Sequence, residues 1–351
     1  MNRGRRGDDA SRPRSVQGES DVNFDRRTVT TGLAAMLAGA AAPARAQSKY
    51  PDHPIKMIVP YGPGGGTDIV GRIVGDQMRQ TLGQPIVVEN KPGANGLVGL
   101  QELAGNKADG YTLVLANQTV NVIAPLLYPK RMKFDAEKTL VPVLRLAEVP
   151  NVVVVNKDFP AKTLADLIEQ AKKNPGKVRY TSTGIGSFPH FDMALLAKRA
   201  GVEMIHVPNA KGAAASVQDL ATGDAQVGMM NVASALPQIK AGHVRPIAMA
   251  APKRHPDYPD LPTLVELGFP GVGTVQWFGI LVLAGTPPEA IETLRSAALK
   301  ALESETVLDA FKRQGITVAA TRTAAEAADW VKGEYVHWRQ MMKDVPIEIE
   351  Q

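Results

Sequence analysis

The sequence predicts an α/β protein built as two lobes around a cleft. Short apolar runs bounded by turn residues alternate with helical patterns, a spacing typical of parallel strands joined by helices. Two glycine-rich loops, VPYGPGGGTDIVGR (residues 59–72) and YTSTGIGSFPH (residues 180–190), each lie between an apolar run and a helical pattern, about 120 residues apart. Ligands of parallel α/β proteins bind where strands pass into helices. One such loop in each half of the chain is what a cleft between two lobes needs.

The predicted strands are apolar runs of four to seven residues between turn residues. The run NVVVVN (residues 151–156) is almost continuously β-branched, which is typical of a buried parallel strand. In chain order the predicted strands lie in IKMIVP, PIVVEN, YTLVLA, NVVVVN, KVRYTS, AQVGMMN, VRPIAMA and GILVLA.

The predicted helices are marked by residues that begin and end helices. The helix after the first glycine loop ends at Gly83. Thr163 and Asp166 form a capping box at the start of a second helix, and Thr286 with Glu289 does the same for a later one. In chain order the helical patterns are TDIVGRIVGDQMRQTLG, KTLADLIEQAKKNPGK, FDMALLAKRAG and TPPEAIETLRSAALKALES.

Residues 1–46 are predicted to be an export signal peptide. The stretch DRRTVTTGLAAMLAGAAAPARA has an arginine pair, a short weakly apolar segment and an Ala-x-Ala ending at Ala46. The pair Arg26–Arg27 indicates the twin-arginine route, with the general secretory route as the alternative. A disordered amphipathic tail would explain the arginines but not the Ala-x-Ala ending. We therefore expect cleavage after about Ala46 and a periplasmic mature protein.

Cleavage there leaves 305 residues, which is enough for two domains or one large one. These residues carry 32 basic and 30 acidic side chains, so their net charge is +2 and nucleic-acid binding is not expected. The absence of cysteine excludes disulfides, thiol catalysis and cysteine-based metal sites. No later segment is long and apolar enough to be predicted as transmembrane.

The first glycine loop does not match the known phosphate-binding motifs. A P-loop requires Lys and then Ser or Thr after its last glycine, but Gly66 is followed by Thr67 and Asp68. A dinucleotide motif built on Gly62 and Gly64 would need glycine in place of Thr67. The Asp68 carboxylate would also repel a phosphate. It either interacts with the first turn of the helix or receives an ammonium or hydroxyl group of a ligand.

The sequence contains no catalytic signature. There is no GxSxG or HExxH motif and no closely spaced group of histidines and acids. His190 follows the second glycine loop and is a helix-start or core residue, a pocket residue or, least expected, a general base. Ser187 is expected to cap a helix or donate a hydrogen bond. We predict that the protein is not an enzyme and has no catalytic residue, cofactor or metal site.

Taken together, the order and spacing of these pieces resemble one known family. The chain is similar to the substrate-binding receptors of tripartite tricarboxylate transporters, the Bug-type or TctC-type periplasmic solute-binding proteins. The pieces that carry the resemblance are YPDHPIKMIVPYGPGGGTDIVGR, VVENKPGANGLVG, DGYTLVLA, NPGKVRYTSTGIGS, IKAGHVRPIAMA, LPTLVELGFPG and WFGILVLAGTP.

The resemblance implies a two-lobed periplasmic-binding-protein fold of the Venus flytrap, type II-like kind, each lobe a mainly parallel sheet flanked by helices. Lobe one is expected over residues 49–148 plus 275–351, and lobe two over residues 149–274. The resemblance further implies a monomer that holds a small organic carboxylate between the lobes. Loop amides and bridging waters would grip the carboxylate, and the receptor would deliver it to the membrane subunits of the transporter.

The resemblance also implies a set of ligand-binding residues. Tyr61 is a ligand contact or packs beside the strand. Lys211, in a segment that differs from many relatives, counters a distal ligand charge or is solvated. Matched by position, the set is Tyr61, Gly64, Gly65, Gly66, Thr67, Asp68, Asn117, Thr119, Ser182, Gly184, Gly186, Ser187, His190 and Lys211.

Two other classes of function remain open from the sequence. A ligand sensor that instructs a signalling kinase would need the same cleft and the same closure. A hydrolase or lyase would use Asp68, Ser187 and His190, and turnover of a ligand would reveal it.

Overall fold

The structure is a computed structural model, and it describes residues 50–347. The export signal predicted over residues 1–46 lies outside the described residues. In chain order the strands are β1 (Ile55–Val59), β2 (Ile86–Asn90), β3 (Thr112–Ala116), β4 (Leu140–Val149), β5 (Asn151–Asn156), β6 (Arg179–Ser182), β7 (Ile205–Pro208), β8 (Val227–Asn231), β9 (Val244–Ala250), β10 (Gln276–Leu283) and β11 (Thr317–Val318).

Helices occupy most of the connections between these strands. A single π-helical turn, Thr119–Ile123, follows β3. The α-helices are α1 (Gly66–Leu82), α2 (Leu97–Ala104), α3 (Ala124–Leu127), α4 (Ala136–Thr139), α5 (Leu164–Lys173), α6 (Phe188–Ala200), α7 (Ala213–Thr222), α8 (Val232–Lys240), α9 (Pro288–Glu303), α10 (Glu305–Arg313) and α11 (Ala324–Asp344). Within residues 50–347, no helix combines the length and apolar content that crossing a membrane requires.

The strands form two sheets, and each sheet is the centre of one lobe. The six-stranded sheet of lobe one has the order β11-β4-β10-β3-β1-β2, and the five-stranded sheet of lobe two has the order β7-β6-β8-β5-β9. The chain leaves lobe one at Pro150, between β4 and β5, and returns between β9 and β10. The lobe boundaries expected from the sequence, after residues 148 and 274, stay a prediction. The two-lobed α/β fold class is confirmed.

Both sheets are mixed rather than mainly parallel. Strand β1 runs parallel to β2 and β3, whereas β10 runs antiparallel to β3 and β4. Strand β5 is buried along its whole length, as its β-branched run predicts. Its predicted parallel direction is wrong, because β5 runs antiparallel to both β8 and β9. A continuous apolar run indicates that both faces of a strand are covered, but not the direction of its neighbours.

Most of the predicted helix ends are confirmed. Gly83 ends α1 in the left-handed conformation. The capping box of Thr163 and Asp166 begins α5. The predicted cap at Thr286 is wrong, since α9 begins at Pro288 and the Thr286 hydroxyl donates to the Leu283 carbonyl instead. A proline is favoured in the first helical position because that residue needs no N–H partner there.

The last helix, α11, joins the hydrophobic core of lobe two. Trp338 is fully buried and packs edge-on against Phe191 of α6, with ring centroids 5.8 Å apart. On the side of lobe one, the Tyr335 hydroxyl donates to the Asn121 carbonyl at 2.9 Å. Although α11 follows the strands of lobe one in the chain, its buried face completes the core of lobe two.

Candidate functional site

A small cavity lies between the two lobes. Its volume is about 20 Å³, which is room for about one water molecule. No charged side chain is among the described residues that line it. These residues are Tyr61, Gly65, Gly66, Thr67, Asn117 and Gln276 from lobe one, and Thr183, Phe188, Pro189, Ala213, Met230 and Asn231 from lobe two.

Four helices begin at this cavity. Helices α1, α6, α7 and α8 follow the carboxyl ends of β1, β6, β7 and β8. No side chain of their own N-cap residues caps α1, α6 or α7. In α8, the Asn231 side chain accepts from the Ser234 N–H at 2.8 Å. The first N–H groups of a helix lack partners within the helix and carry a partial positive charge. The cavity is therefore favourable to an anion although no cationic side chain lines it.

Each lobe supplies a hydroxyl that caps a helix of the other lobe. The Gly66 N–H at the start of α1 donates to Ser234 Oγ of α8 at 3.0 Å. In the opposite direction, the Phe188 N–H at the start of α6 donates to Thr119 Oγ1 at 3.1 Å. We call these two hydrogen bonds the cross-lobe caps. They satisfy helix donors that become free when the lobes separate.

Further contacts between the lobes close the rim of the cavity. The Gly62 N–H donates to the Lys211 carbonyl at 3.2 Å. The Tyr128 hydroxyl donates to the Ile185 carbonyl at 3.0 Å, and the Asn95 amide donates to the same oxygen. Lys211 thus contributes its main chain to this closure, while the residue as a whole is exposed.

Tyr61 and Asn117 form one wall of the cavity. The Tyr61 hydroxyl donates to Asn117 Oδ1 at 3.0 Å, and the Val120 N–H donates to the same oxygen at 3.3 Å. Burial raises the pKa of Tyr61, so its hydroxyl stays neutral. The Asn117 oxygen is therefore occupied by donors of its own lobe.

Asp68 holds the first glycine loop in shape and does not line the cavity. Its carboxylate accepts from the Gly64 N–H at 3.0 Å, from Asn90 Nδ2 at 2.9 Å and from Arg72 Nε at 3.0 Å. Burial by itself would raise the pKa of Asp68, but the hydrogen bonds from Arg72, Gly64 and Asn90 outweigh it and lower the pKa. Gly64 adopts φ +80°, a conformation that side chains rarely tolerate.

The second glycine loop is held by hydrogen bonds of its own. Ser182 Oγ donates to the Gly184 carbonyl at 3.0 Å, and Ser187 Oγ donates to the same oxygen at 2.7 Å. The Gly186 N–H donates to His190 Nδ1 at 3.0 Å. None of these five residues lines the cavity. They fix the loop that carries Thr183 and Phe188 to it.

His190 is buried and belongs to a stack of three rings. Its imidazole lies on that of His206 with centroids 3.7 Å apart, and His206 lies on the Tyr180 ring at 4.9 Å. Burial lowers the pKa of His190 to about 3, with a further contribution from His206. Burial likewise lowers the pKa of His206 to about 4. Both rings are therefore neutral at physiological pH.

Of the predicted site residues, the structure brings Tyr61, Gly65, Gly66, Thr67 and Asn117 to the cavity. Sequence reasoning missed seven lining residues: Thr183, Phe188, Pro189, Ala213, Met230, Asn231 and Gln276. Asn231 ends a strand, so the rule that ligands bind at carboxyl ends of strands gives a signal for it. Gln276 begins a strand after the chain returns from the other lobe, and its local sequence carries no signal.

Residues 70–347 match the family described as tripartite tricarboxylate transporter family receptor. The chain belongs to this family. The resemblance found in the sequence is thereby confirmed, and the family is one of solute-binding receptors rather than enzymes. In residues 50–347, no group of three metal-ligating side chains is arranged to hold a metal ion.

Solved structures of similar proteins share the fold. The periplasmic binding protein BugD is 30% identical with a TM-score of 0.81, covering 86% of this chain and 100% of its own. A protein of R. palustris with adipate has the same identity and TM-score, covering 85% of this chain and 99% of its own. MatC from Rhodopseudomonas palustris, with bound malate, is 29% identical with a TM-score of 0.78, covering 83% of this chain and 99% of its own.

Proposed function

We propose that the protein is a periplasmic receptor that captures a small organic carboxylate between its lobes and delivers it to a tripartite tricarboxylate transporter. The observation that carries the proposal is the convergence of four helix N-termini on a cavity without charged lining residues. Backbone N–H groups and helix dipoles bind anions well. Two related proteins of the same fold are complexes with adipate and with malate, both carboxylates.

In this proposal the predicted site residues have two kinds of role. Tyr61, Gly65, Gly66, Thr67 and Asn117 contact the ligand directly, since they line the cavity. The others hold the two loops or the lobe contacts in place. Those residues are Gly64, Asp68, Thr119, Ser182, Gly184, Gly186, Ser187, His190 and Lys211.

Delivery of the ligand to the transporter depends on closure of the two lobes around it. A ligand that contacts both lobes stabilises the closed form, because only there does it touch both. We propose that the membrane subunits recognise this closed form. We also propose that residues 1–46 direct export to the periplasm by the twin-arginine route. The mature receptor is proposed to be a monomer.

A thermal-shift screen of the purified protein tests the proposal. The set contains mono-, di- and tricarboxylates, sugars and cationic amines. A carboxylate at about 100 times its Kd adds about 2.7 kcal/mol of stability, a shift of a few degrees for a protein of this size. Hits restricted to carboxylates support the proposal. Hits restricted to sugars or amines, or an unchanged Tm with every acid, contradict it.

A further inference from the structure

Gln276 lines the cavity, and hydrogen bonds hold the backbone around it. Gln276 begins β10 at the lobe crossing and pairs with Val149 of β4. Gln118 holds the backbone on either side, accepting from the Trp277 N–H at 3.3 Å and donating to the Val275 carbonyl at 3.5 Å. Val275 lines a groove on the outer surface, and Gln276 lines the cavity with only 3% of its surface exposed.

Gln276 has an amide oxygen without a partner. Among the described residues no donor reaches Gln276 Oε1, although the atom is buried. The other two amides of the cavity differ in this respect. Asn117 Oδ1 accepts from the Tyr61 hydroxyl, and Asn231 Oδ1 accepts from the Ser234 N–H. Among the amide oxygens of the residues that line the cavity, the one of Gln276 is thus without a partner.

The chemistry of this acceptor restricts the ligand. A carboxylate only accepts hydrogen bonds, so by itself it leaves Gln276 Oε1 unpaired, which is costly for a buried group. A hydroxyl donates as well as accepts, so it can pair with this oxygen.

An ammonium group would also donate, but no acid that lines the cavity would neutralise its charge. The carboxylate of Asp68 is engaged by Arg72, Asn90 and Gly64 and does not reach the cavity. The site therefore favours a hydroxyl over an ammonium as the donor.

We propose that Gln276 is a specificity-determining residue that recognises a hydroxyl group, so that the receptor prefers hydroxylated carboxylic acids to unsubstituted and amino-substituted ones. This inference rests on the proposed function, since it assumes that the carboxylate occupies the helix N-termini of the same cavity.

Three four-carbon diacids that differ in one substituent provide the test: succinate, malate and aspartate. Isothermal titration of the purified protein should show malate binding about tenfold more tightly than succinate, a difference of about 1.4 kcal/mol. Aspartate should bind more weakly than either. Succinate or aspartate binding as tightly as malate would overturn the inference and leave the proposed function standing. If no acid of this series and no carboxylate of the thermal-shift set binds, the proposed function falls as well.

The variant Gln276→Met tests whether this residue causes the preference for malate over succinate. Methionine has nearly the same length and no hydrogen-bonding amide, so the malate-to-succinate affinity ratio should fall to about one, with succinate affinity nearly unchanged. Gln80→Met, at an exposed position on α1, is the matched control and should keep the wild-type ratio. A wild-type ratio in Gln276→Met overturns the assignment. If this variant does not fold, the wild-type ligand series still decides the inference.

Discussion

At the scale of the residue, Gly65 offers the most direct test of the cavity. Its backbone is extended (φ −82°, ψ 163°), a conformation that valine adopts readily. A Cβ atom there would lie 3.8 Å from Ala213 Cβ, an ordinary contact. Gly65→Val should therefore leave the Tm of the free protein nearly unchanged. The valine side chain takes the space of the ligand between α1 and α7, so the ligand-induced rise in Tm should disappear.

Gly333→Val is the matched control for that substitution. Gly333 lies on the exposed side of α11, where an added Cβ meets no atom within 4 Å. This variant should keep the full ligand-induced shift in a thermal-shift assay. Ligand affinity that is unchanged in Gly65→Val would show that the first glycine loop is only a turn.

At the scale of the element, the cross-lobe caps are hydrogen bonds at the starts of α1 and α6 that form only when the lobes are closed. Ser234→Ala removes the cap of α1, and Thr119→Val removes the cap of α6. One hydrogen bond contributes about 1 kcal/mol, so each variant should shift the balance between open and closed forms about fivefold towards open. Small-angle X-ray scattering of the free variants should show a larger radius of gyration than the wild type.

Thr119→Ser is the control for the cap of α6, because serine keeps the hydroxyl. It should scatter like the wild type. If Thr119→Val and Ser234→Ala scatter like the wild type as well, the caps do not hold the lobes together.

The same elements show how far the sequence predicts the structure. The alternation of strands and helices, the capping box of Thr163 and the end of α1 at Gly83 depend on neighbouring residues, and all were predictable. The direction of β5 depends on strands up to about 100 residues away, so its sequence could not supply it. The lining residues Asn231 and Gln276 meet the first glycine loop only after the chain has crossed between the lobes. Contacts between segments that lie far apart in the chain leave no pattern in the neighbouring sequence.

At the scale of the whole molecule, the two stacked histidines make stability depend on pH. Their pKa values of about 3 and about 4 lie below the 6.5 of an unperturbed histidine. The unfolded chain therefore takes up two protons as pH falls below about 6.5, while the folded protein does not. The free energy of unfolding is therefore highest above about pH 6.5. It decreases towards pH 4 by up to roughly 1.4 kcal/mol per pH unit for each histidine.

Urea denaturation between pH 7 and pH 4 measures this loss. The variant His190→Asn with His206→Gln keeps an acceptor near Gly186 and a donor near Ser182 but cannot titrate, so its stability should fall less with pH than that of the wild type. Buried Asp192, whose pKa burial raises to about 7, acts in the opposite direction and is present in both proteins. His243→Gln, at an exposed position, is the control. Parallel pH profiles of the double variant and the wild type would contradict the assignment.

The position of α11 has a consequence for the order of folding. Trp338 fills the core of lobe two beside Phe191, yet it comes near the end of the described chain, after every strand of lobe one. During synthesis, lobe two thus emerges without a part of its own interior and cannot complete it until lobe one has followed. We therefore expect the two lobes to become stable as a single cooperative unit.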